Sequence, residues 1–529
     1  MKTLSITPAT PSKVRLRGVA LASVIIALML SLLLEALDQT IVGTAMPRII
    51  AELHGLDRYT WVVTAYVLAS MTMVPIVGKL SDQFGRKWFL LGGTALFLVG
   101  SLLAGASQSM DHLIFFRAVQ GLGAGMGMAL VATVFGDLFE PEARAKWGSV
   151  FGIVYGVSNL FGPTLGGWLT EHGPLVGSLI TQSSRWRWVF YINLPVGLLA
   201  VGALLFFLPT TLSVPTSTRI GWAAVRQIDV FGTLLSAAAT ICLMLGLTWG
   251  SSQFFAWSSA PVLAMLGGGG MLFALFLLVE RREAEPILPL SLFRNQVFSM
   301  AALLTMLQMM VLLGLSLYLP LFLQGVLAIS PTMAGLVITP LSLSMVLGAM
   351  LAGPIIGTLK RYHLVIVLGS VFMGIGSFLL TLMTPETGLL QAIVSMILVG
   401  IGLGSFFSLS VIAQNVVPAS RLGVSTAATR YLGQMGATLG IAIVGTVVSS
   451  SIAGNLLHRL PTTTAEREVL AGALQHGFVA VLVFALIALV AAFFLKDVPF
   501  VSSSFRPASA EKLANATGEA KAADPIFHE

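Results

Sequence analysis

The sequence contains few of the residues that a water-exposed surface requires. Of its 529 residues only 10% are charged while 56% are hydrophobic, and the mean hydropathy is +0.92. A soluble domain needs a solvated surface, so this composition excludes a water-soluble protein. The chain also has a single cysteine, Cys242, which excludes an internal disulfide and a cysteine-based metal cluster. The fold must therefore depend on packing alone.

Histidine is scarce as well, and the seven histidines form no His-x-x-x-His pair. A membrane-embedded enzyme would need a convergent nucleophile or metal set, so we expect no enzymatic activity, no metal and no cofactor other than a proton gradient. The formal charge of +7 comes from basic residues that are dispersed among short connections. This dispersion argues against nucleic acid as a partner.

The sequence is rich in long apolar stretches of about the length that crosses a bilayer. In lipid, each backbone amide must find its partner within its own segment, so these stretches are predicted to be helices. We place fourteen of them near 19–46, 59–77, 89–107, 112–137, 148–169, 188–208, 229–249, 260–280, 297–323, 331–353, 363–383, 389–416, 423–450 and 475–495. The predicted fold class is an all-α integral membrane protein whose immediate partner is the lipid bilayer.

Basic residues are distributed unevenly between the two sides of the predicted membrane. With the N-terminus inside, 21 of the 29 Lys and Arg residues lie in cytoplasmic segments and six lie in outer segments. This excess predicts an even number of spans and a cytoplasmic location for both termini, in a multi-pass protein of the cell membrane. The tail 497–529 has no apolar periodicity and is predicted to be disordered. Outer connections of some size are expected around 171–187 and 451–474.

Charged residues inside the apolar spans are the first candidates for function. Glu35 and Asp38 are three residues apart, which puts both carboxylates on one face of the first span. A charge at membrane depth is costly unless it faces a partner or a wet cavity. Arg117, in the fourth span, is predicted to lie at the depth of Asp38, and Gln120 follows it on the same face. Arginine stays protonated, so the acids would be the switch.

Glycine-rich stretches are the second candidates. The segment GKLSDQFGRK connects spans two and three, and we predict a conformational latch there, formed by Gly78, Asp82, Gly85, Arg86 and Lys87. The fifth span is predicted to be a hinge or seal, because a proline bends a helix and glycines thin it. The residues concerned are Gly162, Pro163, Gly166 and Gly167. Gly121, Gly123, Gly125 and Gly127 are predicted to allow close helix approach.

Five stretches resemble, in the same order, signatures of the major facilitator superfamily, and specifically of its fourteen-span drug:proton antiporters. They are LDQTIVGTAMP from Leu37, the segment Gly78 to Lys87, RAVQGLGAG from Arg117, GPTLGG from Gly162 and WRWVFYINLP from Trp186. The chain departs from the family pattern at three positions. Gly43 stands where Asn is usual, Gln83 where Arg is common, and Ser158 where Gly often precedes the Gly-Pro pair.

The resemblance implies two six-helix bundles, 1–208 and 297–496, with two extra spans inserted between them in 209–296. A midplane cavity between the bundles would open alternately to either side as they rock. The implied function is proton-coupled efflux of lipophilic cationic or amphipathic small molecules by a chain that we expect to be a monomer. A proton from outside would neutralise Asp38, alone or together with Glu35, weaken the bond to Arg117 and release the cargo.

The residues expected to contact the cargo combine the buried charges with aromatic and amide side chains. They are Glu35, Asp38, Gln120, Trp61, Tyr66, Gln308, Tyr318 and Arg430. Other hypotheses stay open at this point. The cargo could be an endogenous lipid, peptide or siderophore, because spans alone do not identify it. A channel is disfavoured because the sequence has no ring of like charge and no filter motif.

Overall fold

The structure is a computed structural model that describes residues 18–138, 141–178, 180–209, 230–251, 255–282, 290–359, 361–417, 422–452, 461 and 463–497. Within these ranges the chain is helical and contains no β-strand beyond an isolated bridge between Val176 and Ile180. The predicted disordered tail lies outside the described residues except for Asp497, as does most of the connection 209–229.

Sixteen α-helices follow one another along the described ranges. Those of the first half are α1 Gly18–Leu53, α2 Tyr59–Phe84, α3 Arg86–Gly105, α4 Met110–Leu138, α5 Pro141–His172, α6 Trp188–Tyr191 and α7 Asn193–Phe207. Two helices come next, α8 Val230–Ser251 and α9 Ala260–Glu280. Those of the second half are α10 Gln296–Leu321, α11 Pro331–Leu359, α12 Tyr362–Thr381, α13 Leu389–Ser405, α14 Leu409–Asn415, α15 Leu422–Ser450 and α16 Thr464–Phe493.

Eleven helical segments in the described ranges are long and apolar enough to cross a membrane. Helices α2, α5 and α8 occupy the three other predicted positions, and α2 and α8 contain the shorter apolar stretches Tyr59–Val74 and Leu234–Leu247. The all-α membrane fold is therefore confirmed, whereas the count of fourteen spans stays a prediction.

Two connections are shorter in the structure than the sequence predicts, the one between spans two and three and the one before the last span. Helix α2 continues to Phe84, so the segment Gly78 to Lys87 is helical on both sides of Gly85, which alone has a positive φ of 92° there. Helix α16 begins at Thr464 rather than near 475, because a capping box starts it. The Thr463 side chain accepts from the Glu466 amide, and the Glu466 carboxylate accepts from the Thr463 amide.

We expect Thr463→Ala to weaken the first turn of α16 by about 1 kcal/mol, because the Glu466 amide loses its acceptor. Hydrogen exchange of the peptide covering 463–470 should become faster. The matched control is Thr464→Ala, which removes a neighbouring exposed threonine that makes no capping bond. Equal exchange in the two variants would contradict the role of the cap.

The long helices pack into two bundles. Helices α1–α7 form the N-terminal bundle, in which α4 packs against α2 and α3 while α1 packs against α5 and α7. Helices α10–α16 form the C-terminal bundle, in which α10 packs against α15 and α16 while α13 packs against α11 and α12. The inserted helices α8 and α9 pack against each other, and α8 also contacts α2 and α15. The bundles meet mainly at three helix pairs. Helix α1 contacts α10, α2 contacts α15, and α5 contacts α11.

Four glycines of α4 bring its neighbours unusually close. A Cβ atom built at Gly121 or Gly125 would overlap the backbone of α2, and one built at Gly123 would overlap α3. A Cβ built at Gly127 would overlap the Glu35 carboxylate on α1. The glycine pattern of the fourth span therefore places α4 at the centre of the N-terminal bundle, in contact with the helix that carries both acids.

The bundles are packed tightly at one face, where α1 ends and α2 begins. We call it the predicted outer face, from the distribution of basic residues. A buried apolar cluster joins Ile41, Ile49 and Val62 at this face to the core of the C-terminal bundle. The rest of the N-terminal bundle forms two separate clusters of its own. The described conformation is therefore closed at the predicted outer face.

Candidate functional site: a buried charge network

Two oppositely charged side chains meet in the interior of the N-terminal bundle. Arg117 Nη1 on α4 donates to Asp38 Oδ2 on α1 at 2.5 Å. The two side chains are 1% and 0% exposed. The sequence predicts that they lie at one depth, and the structure brings them into contact. Each charge is tolerable in the interior only because the other is present.

Amide and hydroxyl groups complete the hydrogen bonding of this pair. Gln120 accepts from Arg117 Nη1 at 2.6 Å and donates to Asp38 Oδ1 at 2.9 Å. Asn193 on α7 also donates to Asp38 Oδ1, at 3.2 Å. Ser101 on α3 accepts from Gln120 at 2.6 Å and from Asn193 at 3.0 Å. The Asp38 carboxylate thereby joins α1, α4 and α7, and Ser101 adds α3 through the two amides.

Sequence reasoning predicts Gln120 in this network but misses Ser101 and Asn193. Both are fully buried. Asn193 lies within the stretch from Trp186 that resembles a family signature, and an asparagine in an otherwise apolar span is the signal that could have identified it. For Ser101 the signal is weaker, because a serine is often accommodated in a membrane helix by bonding to its own backbone.

Aromatic rings and a backbone carbonyl hold the rest of the Arg117 guanidinium. Arg117 Cζ lies 4.2 Å from the centre of the Tyr66 ring and 5.9 Å from the centre of the Phe190 ring. Arg117 Nε donates to the Val62 carbonyl at 3.3 Å. A desolvated cation over an aromatic face gains further stabilisation. Tyr66, predicted to contact the cargo, therefore lies beside the charge pair.

Glu35 lies one turn before Asp38 on α1, and its carboxylate has different surroundings. It is 3% exposed, its carboxylate faces Gly127, and its Oε2 has no hydrogen-bond partner among the described residues. The buried Tyr66 hydroxyl also has none within the described part of the chain. The site therefore contains one acid whose two oxygens are bound by three side chains and another whose Oε2 is buried with no donor among the described residues.

The other residues predicted to contact the cargo are not all gathered at this network. Gln308 donates to the Leu403 carbonyl at 2.9 Å and so links α10 to α13. Tyr318 is buried at the predicted outer face, with its ring 5.5 Å from that of Tyr59. Trp61 is partly buried on α2. Their roles as cargo contacts stay predictions.

Glycines of the fifth span lie where the two bundles cross. A Cβ built at Gly162 or Gly166 would overlap α1, and one built at Gly167 would overlap the Pro331 carbonyl of α11. The contact is reciprocal, because a Cβ built at Gly335 of α11 would overlap the Pro163 carbonyl of α5. The predicted hinge or seal is thus a close crossing of α5 and α11.

Polar contacts strengthen the crossing on either side. The hydroxyls of Thr164 and Thr339 lie 2.8 Å apart, and Glu171 Oε2 accepts from the Thr332 amide at 3.2 Å. Hydrogen bonds from Thr332 and Ser330 outweigh partial desolvation and lower the pKa of the Glu171 carboxyl, so it is ionised at neutral pH. An ionised carboxylate at the first turn of α11 is favourable.

A narrow cavity lies between α1, α5, α10 and α11, next to this crossing. Its volume is about 30 Å³, and its polar lining includes Thr40, Thr44, Asn159, Ser316 and Ser342. Such a volume holds one or two water molecules. The space between the bundles is thus too small here for a drug-sized molecule in the described conformation.

Residues 28–441 match the family model described as "Major Facilitator Superfamily". The chain belongs to the major facilitator superfamily. It is therefore a membrane transporter, and the match covers most of the two bundles. Within this superfamily member the charge network lies in the N-terminal bundle, and the α5–α11 crossing and the cavity lie between the two bundles.

Several relatives of this superfamily member are similar over most of their own length. Multidrug resistance protein 3 of Bacillus subtilis (strain 168) is 35% identical over 435 residues, which cover 82% of this chain and 80% of that protein. Multidrug transporter protein MdtP of the same organism is 34% identical, covering 81% and 75%. Efflux pump dotC of Dothistroma septosporum is 36% identical, covering 80% and 70%.

Solved structures of transporters share the fold. The nucleoside transporter NupG superposes with a TM-score of 0.61 at 12% identity, covering 90% of this chain and 100% of that chain. A bacterial homologue of the human lysosomal transporter Spinster, in an inward-facing and unoccupied conformation, gives 0.59 at 17% identity, covering 90% and 97%. At these identities the likeness is one of fold alone.

The superfamily loop motif is described here only in part. Arg86 donates to the Thr133 carbonyl at 3.0 Å and Lys87 to the Leu205 carbonyl at 2.7 Å, so both basic residues bind the ends of neighbouring helices. The side chain of Asp82 lies outside the described part of the chain, and Gly78 lies within α2. The latch predicted for this motif stays a prediction.

The departure from the superfamily pattern at Gly43 has a structural consequence. A Cβ built there would lie 2.8 Å from the Ser316 carbonyl on α10. An asparagine at this position would not fit without moving α1 away from α10. Gly43 therefore allows a closer approach of the two bundles beside the interfacial cavity than the usual residue would.

Proposed function

We propose that this transporter exports lipophilic cationic or amphipathic small molecules in exchange for protons. The observation that carries the proposal is a buried charge network, in which Asp38 is paired with Arg117 and the second acid, Glu35, lies one turn away without donors on Oε2. Intramembrane acids are kept mainly where they serve ion or substrate movement. The names of the relatives, multidrug resistance protein and efflux pump, support export of small foreign molecules.

The exchange follows from competition for one acidic site. A carboxylate that binds either a proton or a cationic cargo cannot bind both, so arrival of one favours release of the other. If the bundles rock between two orientations, the site takes a proton at one face and cargo at the other. The proton gradient drives the export of cargo, so no further energy source is needed.

The packing of the bundles supports alternating access. In the described conformation the α5–α11 crossing and the apolar cluster close the predicted outer face. The proposal assigns this face to the cell exterior and both termini to the cytoplasm, on the excess of basic residues there. The proposal takes a monomer as the transporting unit.

Purified protein in proteoliposomes tests the proposal directly. A pH gradient is imposed, and the movement of ethidium as a lipophilic cation, of an uncharged drug and of a fluorescent phospholipid is followed. We expect uphill movement of ethidium that is abolished by a protonophore. Movement of the phospholipid alone would favour an endogenous lipid exporter, and downhill flux alone would favour a channel.

Asp38→Asn is expected to abolish the gradient-driven movement of ethidium in protein that is still folded, although less stable than the parent, because asparagine keeps the shape but leaves Arg117 without its counter-charge. The matched control is Asp111→Asn, since Asp111 is 72% exposed and pairs with Arg58 at the surface. Gradient-driven transport that persists in Asp38→Asn would reject an essential role for this acid.

A further inference from the structure

The two acids of α1 differ in the donors that they receive. Asp38 accepts from three side chains, Arg117, Gln120 and Asn193, which use both of its oxygens. Glu35 has an unpartnered, buried Oε2. A carboxylate without donors is less stable as an anion than one that is fully bound. Glu35, rather than Asp38, is therefore the acid whose ionised form has an oxygen without a donor among the described residues.

A charged side chain of the C-terminal bundle approaches Glu35. Arg430 of α15 has its Nη2 at 3.4 Å from Met128 Sδ on α4, and Met128 follows Gly127, which faces the Glu35 carboxylate. The positive charge of Arg430 interacts with the Glu35 carboxylate through this contact region. Within the described part of the chain no ion pair joins them, and Arg430 is exposed rather than buried. The guanidinium is near the acid without being bound to it.

The other ionisable groups around Glu35 do not supply an unpaired positive charge as Arg430 does. Tyr66 on α2 faces both acids, and it carries no charge at neutral pH. Arg117 on α4 and Asp38 on α1 neutralise each other at 2.5 Å. Among the described residues, Arg430 is thus the uncompensated cation that acts on Glu35, and it comes from the opposite bundle.

We infer that Glu35 is the acid that gains and loses the coupling proton, and that Arg430 is its counter-charge across the interface between the bundles. This inference rests on the proposed function. When Glu35 is ionised, attraction to Arg430 draws α15 toward α1 and α4. When a proton from water, or a cationic cargo, neutralises Glu35, the attraction ends and the bundles can separate there. Asp38 meanwhile keeps its bonds to Arg117, Gln120 and Asn193, which hold α1, α4 and α7 together.

Glu35→Gln tests the assignment, with ethidium as the probe in proteoliposomes. The variant mimics the protonated acid, so we expect gradient-driven accumulation to be lost, while efflux of ethidium down its own gradient continues and no longer depends on pH. Accumulation as in the parent would overturn the inference. If the parent itself shows no gradient-driven movement, the proposed function fails together with the inference.

Arg430→Gln provides a second test that does not touch the buried acid, because the side chain is exposed. Loss of a nearby cation makes protonation of Glu35 easier, so we expect the midpoint of the pH profile of transport to move upward. Arg430→Lys keeps the charge and should restore the parent profile. Arg294→Gln, at another exposed arginine, is the matched control. An unchanged midpoint in Arg430→Gln would overturn the role of Arg430 even if Glu35→Gln did not fold.

Discussion

Replacement of Arg117 by alanine is expected to abolish transport and to lower the free energy of unfolding by about 3–5 kcal/mol. The guanidinium is the cation that faces the fully buried Asp38 carboxylate. Its removal would leave that carboxylate without a counter-charge in a medium that solvates charge poorly. Gln120 would lose its donor, and Tyr66 would lose the cation over its ring.

The effect is measured as a fall in unfolding temperature and in ethidium transport of the purified variant. The matched control is Arg58→Ala. Arg58 and Asp111 also form an ion pair, but their side chains are 47% and 72% exposed, so its loss should cost less than about 1 kcal/mol. An Arg117→Ala protein that unfolds at the parent temperature and transports ethidium would contradict the importance of the buried pair.

A double variant separates charge balance from function. Arg117→Gln combined with Asp38→Asn removes both charges, so no uncompensated ion is left in the interior. We expect it to regain part of the stability that Arg117→Gln alone loses, while gradient-driven transport stays absent. A thermodynamic cycle over the four proteins gives the coupling energy. A coupling of zero would mean that the two side chains do not stabilise each other.

The contact between Asp38 and Arg117 could be predicted from the sequence because depth in a membrane follows from position along a helix. A rise of about 1.5 Å per residue converts a residue count into depth, and the two counts agree. The alternation of basic residues sets the direction of each helix. Helix rise, helix direction and the cost of an unpaired charge in lipid are therefore enough to predict the contact between Asp38 and Arg117.

The rest of the network could not be predicted, because the sequence of a membrane helix does not show which side faces inward. In a soluble protein the apolar face is the buried one, but a membrane helix is apolar toward lipid as well. Phe97 is buried and Val99 is 50% exposed on the same helix, although both are apolar. Ser101 binds the network, whereas Ser370, also in an apolar span, bonds only its own helix backbone.

The surroundings of two predicted cargo contacts, Gln308 and Tyr318, could not be predicted from the sequence either. The amide of Gln308 and the ring of Tyr318 look like pocket groups in the sequence because they interrupt apolar spans. In the structure Gln308 bonds to a carbonyl of its own bundle, and Tyr318 packs against Tyr59 across the closed face. A polar residue in a span thus identifies a contact but not its partner, which depends on the packing of the whole bundle.

Gly167→Ala is expected to prevent closure of the predicted outer face and so to stop the transport cycle. A Cβ atom at this position would overlap the Pro331 carbonyl, and backbone cannot move aside as a flexible side chain can. Helix α5 would therefore have to move away from α11. The structure has little tolerance for such a shift, because Gly335 makes the reciprocal contact with the Pro163 carbonyl.

The closed state can be followed by cross-linking. The hydroxyls of Thr164 and Thr339 lie 2.8 Å apart, so cysteines at these positions can form a disulfide of about 2 Å when the face is closed. Cys242 is the only native cysteine and is replaced by serine in the background. We expect rapid cross-linking in this background and much slower cross-linking once Gly167→Ala is added.

A matched control distinguishes the steric effect from a general response to alanine in a helix. Gly92 lies in α3 with nothing within 4 Å of a built Cβ, so Gly92→Ala should leave transport unchanged and stabilise the helix slightly, by up to about 1 kcal/mol. Gly335→Ala should reproduce the Gly167→Ala effect, and the double variant should add little, because either methyl group already separates the same two helices. If Gly167→Ala cross-linked and transported like Gly92→Ala, the α5–α11 crossing would not be the gate, and closure would have to depend on the apolar cluster around Ile49 and Val62 instead.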